Sequence, residues 1–221
     1  NEYLNFEIFW IFQQLIFPTH LDNSITSFIK SDKELLIIPL AIENDIGAHA
    51  NVIIIDKRFK IIERFEPNGK KEPVNYNYNY KLLDNLLEMY FKKQFTFEYL
   101  SPVITQQSLG FQSLEMNEND KMKKIGDPGG FCVSWCLWYV EQRAKYNYHP
   151  IKLSLKLIIN IRSKNISFKK LIRLYSNNIL KTRNAILDQL KIDINDIRNN
   201  NISDKQKSDI KQLIKLELLS I

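Results

Sequence analysis

A cysteine, a histidine and a glutamate stand where their chemistry could be used in this chain of 221 residues. Cys132 follows Gly126-Asp127-Pro128-Gly129-Gly130-Phe131, and three of the six glycines fall in that short run. Proline and glycine set a turn there rather than a helix. From Cys132 to Val140 the residues are apolar on every side, before Glu141, Gln142 and Arg143 bring polarity back. That is the pattern of a helix buried all round. Cys132 is therefore expected at the N-terminus of a buried helix. There the helix dipole and unpaired N–H groups favour a thiolate and offer donors to a developing oxyanion. Cys136, one turn further on, is expected to be an ordinary core cysteine. A useful thiol also needs an imidazole to take its proton and a carboxylate to orient the imidazole. His20 lies in a loop after Pro18, and His149 precedes Pro150 at a helix end facing solvent. His49 opens one β-pattern and Glu66 closes the next, 17 residues later. If those two strands form an antiparallel hairpin, His49 and Glu66 meet at one end of it.

The elements that must position these groups follow from periodicity and breakers. Residues 2–17 read as a helix with an aromatic face, ended by Pro18, and Asn23 to Lys30 as a second short helix. Leu35 to Glu43 is β-compatible, with Pro39 arguing for an edge or a bulge. Asn44 to Gly47 is a turn. His49 to Asp56 contains four successive β-branched residues, Val52 to Ile55, the mark of a buried strand. Lys57 to Lys60 is a turn, and Ile61 to Glu66 a third strand of the meander, stopped by Pro67-Asn68-Gly69. Asn75 to Tyr80 reads as a solvent-facing loop. Lys81 to Lys93 is amphipathic at helical spacing, and Phe95, Phe97 and Tyr99 alternate as a strand. Ser101 to Lys124 is mostly irregular. Helices are expected over 151–161, 167–180, 182–191 and 203–219, with a hinge at Asn199-Asn200-Asn201.

In order, His49-Ala50-Asn51, then Phe65-Glu66-Pro67-Asn68-Gly69, then Gly129-Gly130-Phe131-Cys132 resembles the adenain-type and ubiquitin-like-protein-specific cysteine peptidases, and most of all their homologues in large DNA viruses. The resemblance covers about residues 35–145. It implies an α+β, papain-like or adenain-like fold, with the nucleophile helix packed on a mixed, mostly antiparallel sheet. It also implies catalytic roles for His49, Glu66 and Cys132, and a glutamine for the oxyanion hole. In the family that glutamine stands shortly before the cysteine, whereas here Ile125 and Gly126 do. Gln112, in Gly-Phe-Gln-Ser-Leu-Glu, is the first candidate if the loop Asn117 to Lys124 bulges out. Gln106 and Gln107 are weaker ones, and the carboxylate of Asp127 would repel an oxyanion. The family's histidine is often followed by Trp, and here Ala50 follows. Asn51 shares a strand face with His49; it either supports the site or is a plain strand-edge polar residue.

Composition bounds the rest. The chain is 44% hydrophobic and 12% aromatic, enough for one large domain or a domain with an appendage. Two cysteines four apart cannot build a disulfide framework, so a reducing intracellular compartment (host cytoplasm or virion) is expected. No apolar run reaches membrane-spanning length, and no Cys/His spacing suits a metal site. Residues 1–141 carry 14 Lys/Arg and 19 Asp/Glu, whereas residues 142–221 carry 17 and 6. The expected division is a peptidase core over 1–150 and a basic helical region over 151–221. The resemblance implies cleavage near glycine, and its large-virus character favours processing of viral precursor proteins during virion maturation, with removal of ubiquitin or a ubiquitin-like modifier as the alternative. No cofactor is implied, save a DNA or peptide activator. The basic region carries an alternative from another class, a non-specific nucleic-acid-binding module with a degenerate peptidase domain.

Overall fold

A computed structural model describes residues 6–45, 47–70, 78–106, 109–118 and 130–219. The predicted turn Asp127-Pro128-Gly129, Gln107 and the loop from residue 119 onward lie outside the described residues. The chain divides into two compact units, one spanning Glu2–Ile172 and the other made by Arg173–Ile221.

The first unit is α+β. Its opening elements are strands β1 (Ile8–Ile11) and β2 (Gln14–Ile16), which correct the helix expected over residues 2–17. Ile8 and Trp10 are buried while Phe9 and Ile11 are only partly so, a period of two rather than 3.6. The strands join through Phe12 and Gln13, both with positive φ (49° and 59°), so a tight hairpin forms without the Asn-Gly signal that usually announces it. Helix α1 (Leu21–Lys30) follows, then β3 (Leu35–Asn44), β4 (Gly47–Asp56) and β5 (Ile61–Phe65). Strand β1 runs parallel to β3 and pairs only with Leu40–Glu43, so Pro39 sits just beyond that pairing, where its missing N–H leaves no ladder bond unmade.

Next come α2 (Tyr80–Lys92), β6 (Glu98–Leu100), α3 (Pro102–Thr105), α4 (Phe111–Met116), α5 (Cys132–Lys145) and α6 (Pro150–Ser163). The sheet order is β2-β1-β3-β4-β5-β6, with β1/β3 and β5/β6 parallel and the other pairs antiparallel. One layer packs Ile25 and Phe28 of α1 and Leu83, Leu87 and Phe91 of α2 against Ile38, Ile53, Ile55 and Ile62 of the sheet. On α5 the packing is aromatic: Tyr139 stacks on Phe65 at 3.9 Å, and Phe111 of α4 stacks on Trp135 at 5.4 Å.

Helix α5 is not buried on every side. Trp135, Cys136, Trp138, Tyr139 and Arg143 face inward, whereas Val133 and Leu137 are 57% and 44% exposed. A helix lying on a sheet sinks one stripe only, and its apolar residues continue past that stripe. Of the solvent-facing loop expected over 75–80, residues 75–77 lie outside the described residues, while Tyr78 is buried and Tyr80 already belongs to α2, capped by the Asn79 side chain. Of the strand expected from Phe95 only Glu98–Leu100 pairs.

Helix α7 (Phe168–Leu190) is a single helix where two were expected, since neither proline nor glycine interrupts it. The division between the units falls within it. Helices α8 (Ile194–Arg198) and α9 (Asp204–Leu219) complete the second unit, with Asn200 in the left-handed region between them. Among the described residues no helix is long and apolar enough to cross a membrane.

Candidate active site

The β4–β5 hairpin brings the histidine and the acid together. Its antiparallel register pairs Val52 with Phe65, so the next step along the ladder sets Asn51 opposite Glu66, with His49 one alternate position beyond. His49 Nε2 lies 2.6 Å from Glu66 Oε1, and both side chains are buried. Asn51 Nδ2 donates to Glu66 Oε2 at 2.8 Å, and the backbone N–H of Asn68 donates to Oε1 at 2.9 Å. Tyr78 adds its hydroxyl to Oε2 at 2.8 Å. Nothing in the Asn/Tyr alternation around Tyr78 signals this contact.

Cys132 opens α5, where the first N–H groups have no intrahelical partner. Its sulfur is hydrogen-bonded to the His49 ring and to the backbone N–H groups of Ala50 and Val133. With Nε2 engaged by Glu66, Nδ1 is the ring nitrogen that faces the thiol. Burial pushes the Cys132 thiol up, but His49 and the two N–H donors outweigh it and hold the thiol below its ordinary value. Burial also opposes the charged imidazole, yet Glu66 and the thiol beside it raise His49 to about 9. Glu66, although buried, is drawn down to about 2 by His49, by Arg64 and by the Asn68 N–H. Opposed shifts of this kind favour transfer of the thiol proton to the imidazole, backed by an ionised carboxylate.

Gln112 comes to the same place through backbone packing. Gly110 N–H donates to Asn68 O at 2.8 Å and Gln112 N–H to Pro67 O at 2.9 Å, so α4 starts against the acid loop. A Cβ at Gly110 would overlap the backbone of Pro67, Asn68 and Gly69, which is why glycine stands there. Gln112 is buried, with no hydrogen-bond partner on its Oε1, and its Nε2 lies 3.5 Å from where a Cβ on Gly130 would stand. The amide therefore faces the residue two before the nucleophile, with its acceptor uncommitted. Gln106 is buried at the end of α3 with neither side-chain atom bonded.

The remaining candidates lie elsewhere. Cys136 is buried, its Sγ is 3.5 Å from Ala50 O, and burial pushes its thiol well above the ordinary value. His20 is exposed ahead of α1. His149 is half-buried, edge-on to Phe59 at 5.7 Å, not facing solvent as expected. No group of three or more His, Cys, Asp or Glu that could hold a metal occurs among the described residues.

A second polar cluster fixes α5 to the sheet. Arg143, wholly buried, reaches Asp56 Oδ2 at 2.8 Å, Glu63 Oε2 at 3.1 Å and Tyr148 O at 2.7 Å. Tyr139 donates to Glu63 Oε1 at 2.7 Å.

The chain is 38% identical, over 221 residues, to a protein of Acanthamoeba polyphaga mimivirus whose name describes an ankyrin repeat protein. The match covers 96% of this chain and 29% of that protein, so the chain spans less than a third of the length of its curated relative. No family model and no solved structure matches the chain.

Proposed function

We propose that this chain carries a cysteine peptidase of the adenain-like and ubiquitin-like-protein-specific kind, with Cys132 as nucleophile, His49 as general base and acid, and Glu66 orienting the imidazole. The observation that carries the reading is the continuous chain of contacts Cys132–His49–Glu66, formed by residues 83 positions apart in sequence at its widest step.

The Cys132 thiolate attacks an amide carbonyl, and the oxyanion is held by the Cys132 backbone N–H together with Gln112 Nε2. His49, already protonated, delivers its proton to the leaving amine as the C–N bond breaks. The neutral ring then takes a proton from water, whose oxygen attacks the thioester, and the carboxylate product leaves the thiolate and imidazolium restored. The free acceptor of Gln112 leaves its amide able to turn toward the developing charge. Asn51 and Tyr78 keep Glu66 from swinging away from His49.

The substrate follows the resemblance: a protein cut near glycine. The viral source of the relative favours precursor processing during virion maturation over removal of ubiquitin or a related modifier. An ankyrin array is built from repeats of about 33 residues with paired helices. The six-stranded sheet here is not such an array, so the reading rests on this chain's own residues. The test is hydrolysis of fluorogenic peptides ending in Gly-Gly and of ubiquitin and SUMO-like C-terminal amides. Turnover by wild type that vanishes in Cys132→Ala is expected. Turnover that survives the substitution rejects the assignment.

A further inference from the structure

Arg64 and Glu66 are both buried, and Arg64 Nη1 lies 4.0 Å from Glu66 Oε2. A buried guanidinium beside a carboxylate would ordinarily close on it in a two-pronged pair. Here it does not. Its fork goes to Asp84 on α2 instead, with Nε to Oδ1 at 2.7 Å and Nη2 to Oδ2 at 2.8 Å. The remaining Nη1 donates to Asn51 Oδ1 at 2.6 Å, and Asn51 passes the contact on to Glu66 through its own amide. Tyr99 on β6 donates to Asp84 Oδ1 at 2.7 Å and helps hold that carboxylate in place.

We infer that Asp84 is a positioning residue for the His49–Glu66 pair: by occupying the fork of Arg64 it keeps the guanidinium off Glu66 and leaves Glu66 Oε1 committed to His49. The inference rests on reading His49 and Glu66 as the working pair of the site. Without the Asp84 carboxylate, the counterion left to the buried Arg64 is Glu66, 4.0 Å away. A two-pronged Arg64–Glu66 pair would draw Glu66 from the imidazole and neutralise the charge that keeps His49 protonated.

The Cys132 thiol also faces the ring, so the test is the titration of the His49 ring by NMR in the full chain carrying Cys132→Ala in every variant and in the reference, with His20 and His149 as internal controls. In Asp84→Asn the His49 midpoint is expected to fall by about one pH unit or more, a tenfold weaker hold on its proton, while the other two stay put. In the double variant Asp84→Asn with Arg64→Met the competing cation is gone, and the midpoint is expected to return to within about half a unit of the reference. A merely structural role for Asp84 gives no such recovery. Tyr99→Phe removes a single hydroxyl and is expected to shift His49 in the same direction by less. A folded Asp84→Asn with the reference His49 titration, or a double variant that does not recover, overturns the inference. If Asp84→Asn does not fold, Tyr99→Phe decides: a lowered midpoint supports the inference and an unchanged one overturns it. Because the readout is a proton, absence of peptidase turnover would defeat the proposed function while leaving this result intact.

Discussion

At the scale of the residue, the ionisation pattern makes a signed prediction. The proposed mechanism needs Cys132 ionised and His49 protonated, so activity should rise as the thiol loses its proton below the ordinary thiol range. It should fall again as His49 titrates near pH 9. Stability follows the same groups. His49 is raised on folding, so its contribution is complete below its unfolded value of about 6.5 and is lost as pH climbs toward the folded one. Glu66 is lowered, so its contribution is present above about 4.3 and is lost as pH falls toward the folded value. In Cys132→Ala, where no thiol titrates at the site, urea midpoints should therefore decline as pH is raised above about 6.5, and adding Glu66→Gln should flatten that decline. An equal slope in both variants contradicts the pairing. Gln112→Ala should reduce kcat about 100-fold or more if its amide holds the oxyanion; an unchanged rate removes it from the mechanism. Gly110→Ala should cost about 1–3 kcal/mol, since its methyl has no room against the acid loop. It should also slow turnover by displacing Gln112. Thermal unfolding and kcat together check both effects.

At the scale of the element, α5 is held by charge as well as by its aromatic face. Arg143→Met leaves Glu63 buried without its cation, while Asp56 keeps Arg58 at 2.7 Å, and should destabilise the fold by about 3 kcal/mol. Chemical denaturation measures this, and a loss below about 1 kcal/mol would show that the cluster is not a clamp. The His49/Glu66 hairpin was legible in the sequence because its signals are local. β-Branched runs mark both strands, Lys57–Lys60 makes a short turn, and an antiparallel register then determines which ends meet. Cys132 at a helix start was legible for the same reason, from the Asp127-Pro128-Gly129-Gly130 breaker and the apolar run that follows it. Residues 8–16 misled because Phe12 and Gln13 turn the chain with side chains that rarely take positive φ. Tyr78, Arg64 and Asp84 stayed hidden because their contacts join residues 12 to 20 positions apart through packing, not through pattern. The exposed side of α5 was hidden because an apolar residue type does not say which stripe the sheet will cover.

At the scale of the whole molecule, the positive charge is concentrated more sharply than the two halves of the sequence suggested. Residues 142–172 hold eight Lys/Arg and no Asp/Glu, and they belong to the sheet-bearing unit, whereas residues 173–221 hold nine and six. Any nucleic-acid affinity should therefore depend on exposed lysines of α6. Reversing Lys152 and Lys156 to Glu should weaken binding of a labelled DNA duplex and lower its salt slope by about two. Anisotropy titrations at several salt concentrations check this, and unaltered binding in the variant would contradict it. The central claim, however, concerns one sulfur atom. The most direct measurement is the intact mass of wild type and of Cys132→Ala after incubation with Gly-Gly peptide, ubiquitin and SUMO-like probes carrying a C-terminal electrophile. One adduct on wild type, located to Cys132 and absent from Cys132→Ala, is the predicted result. No adduct from any probe, or one that persists in Cys132→Ala on Cys136 or another residue, would contradict the peptidase reading.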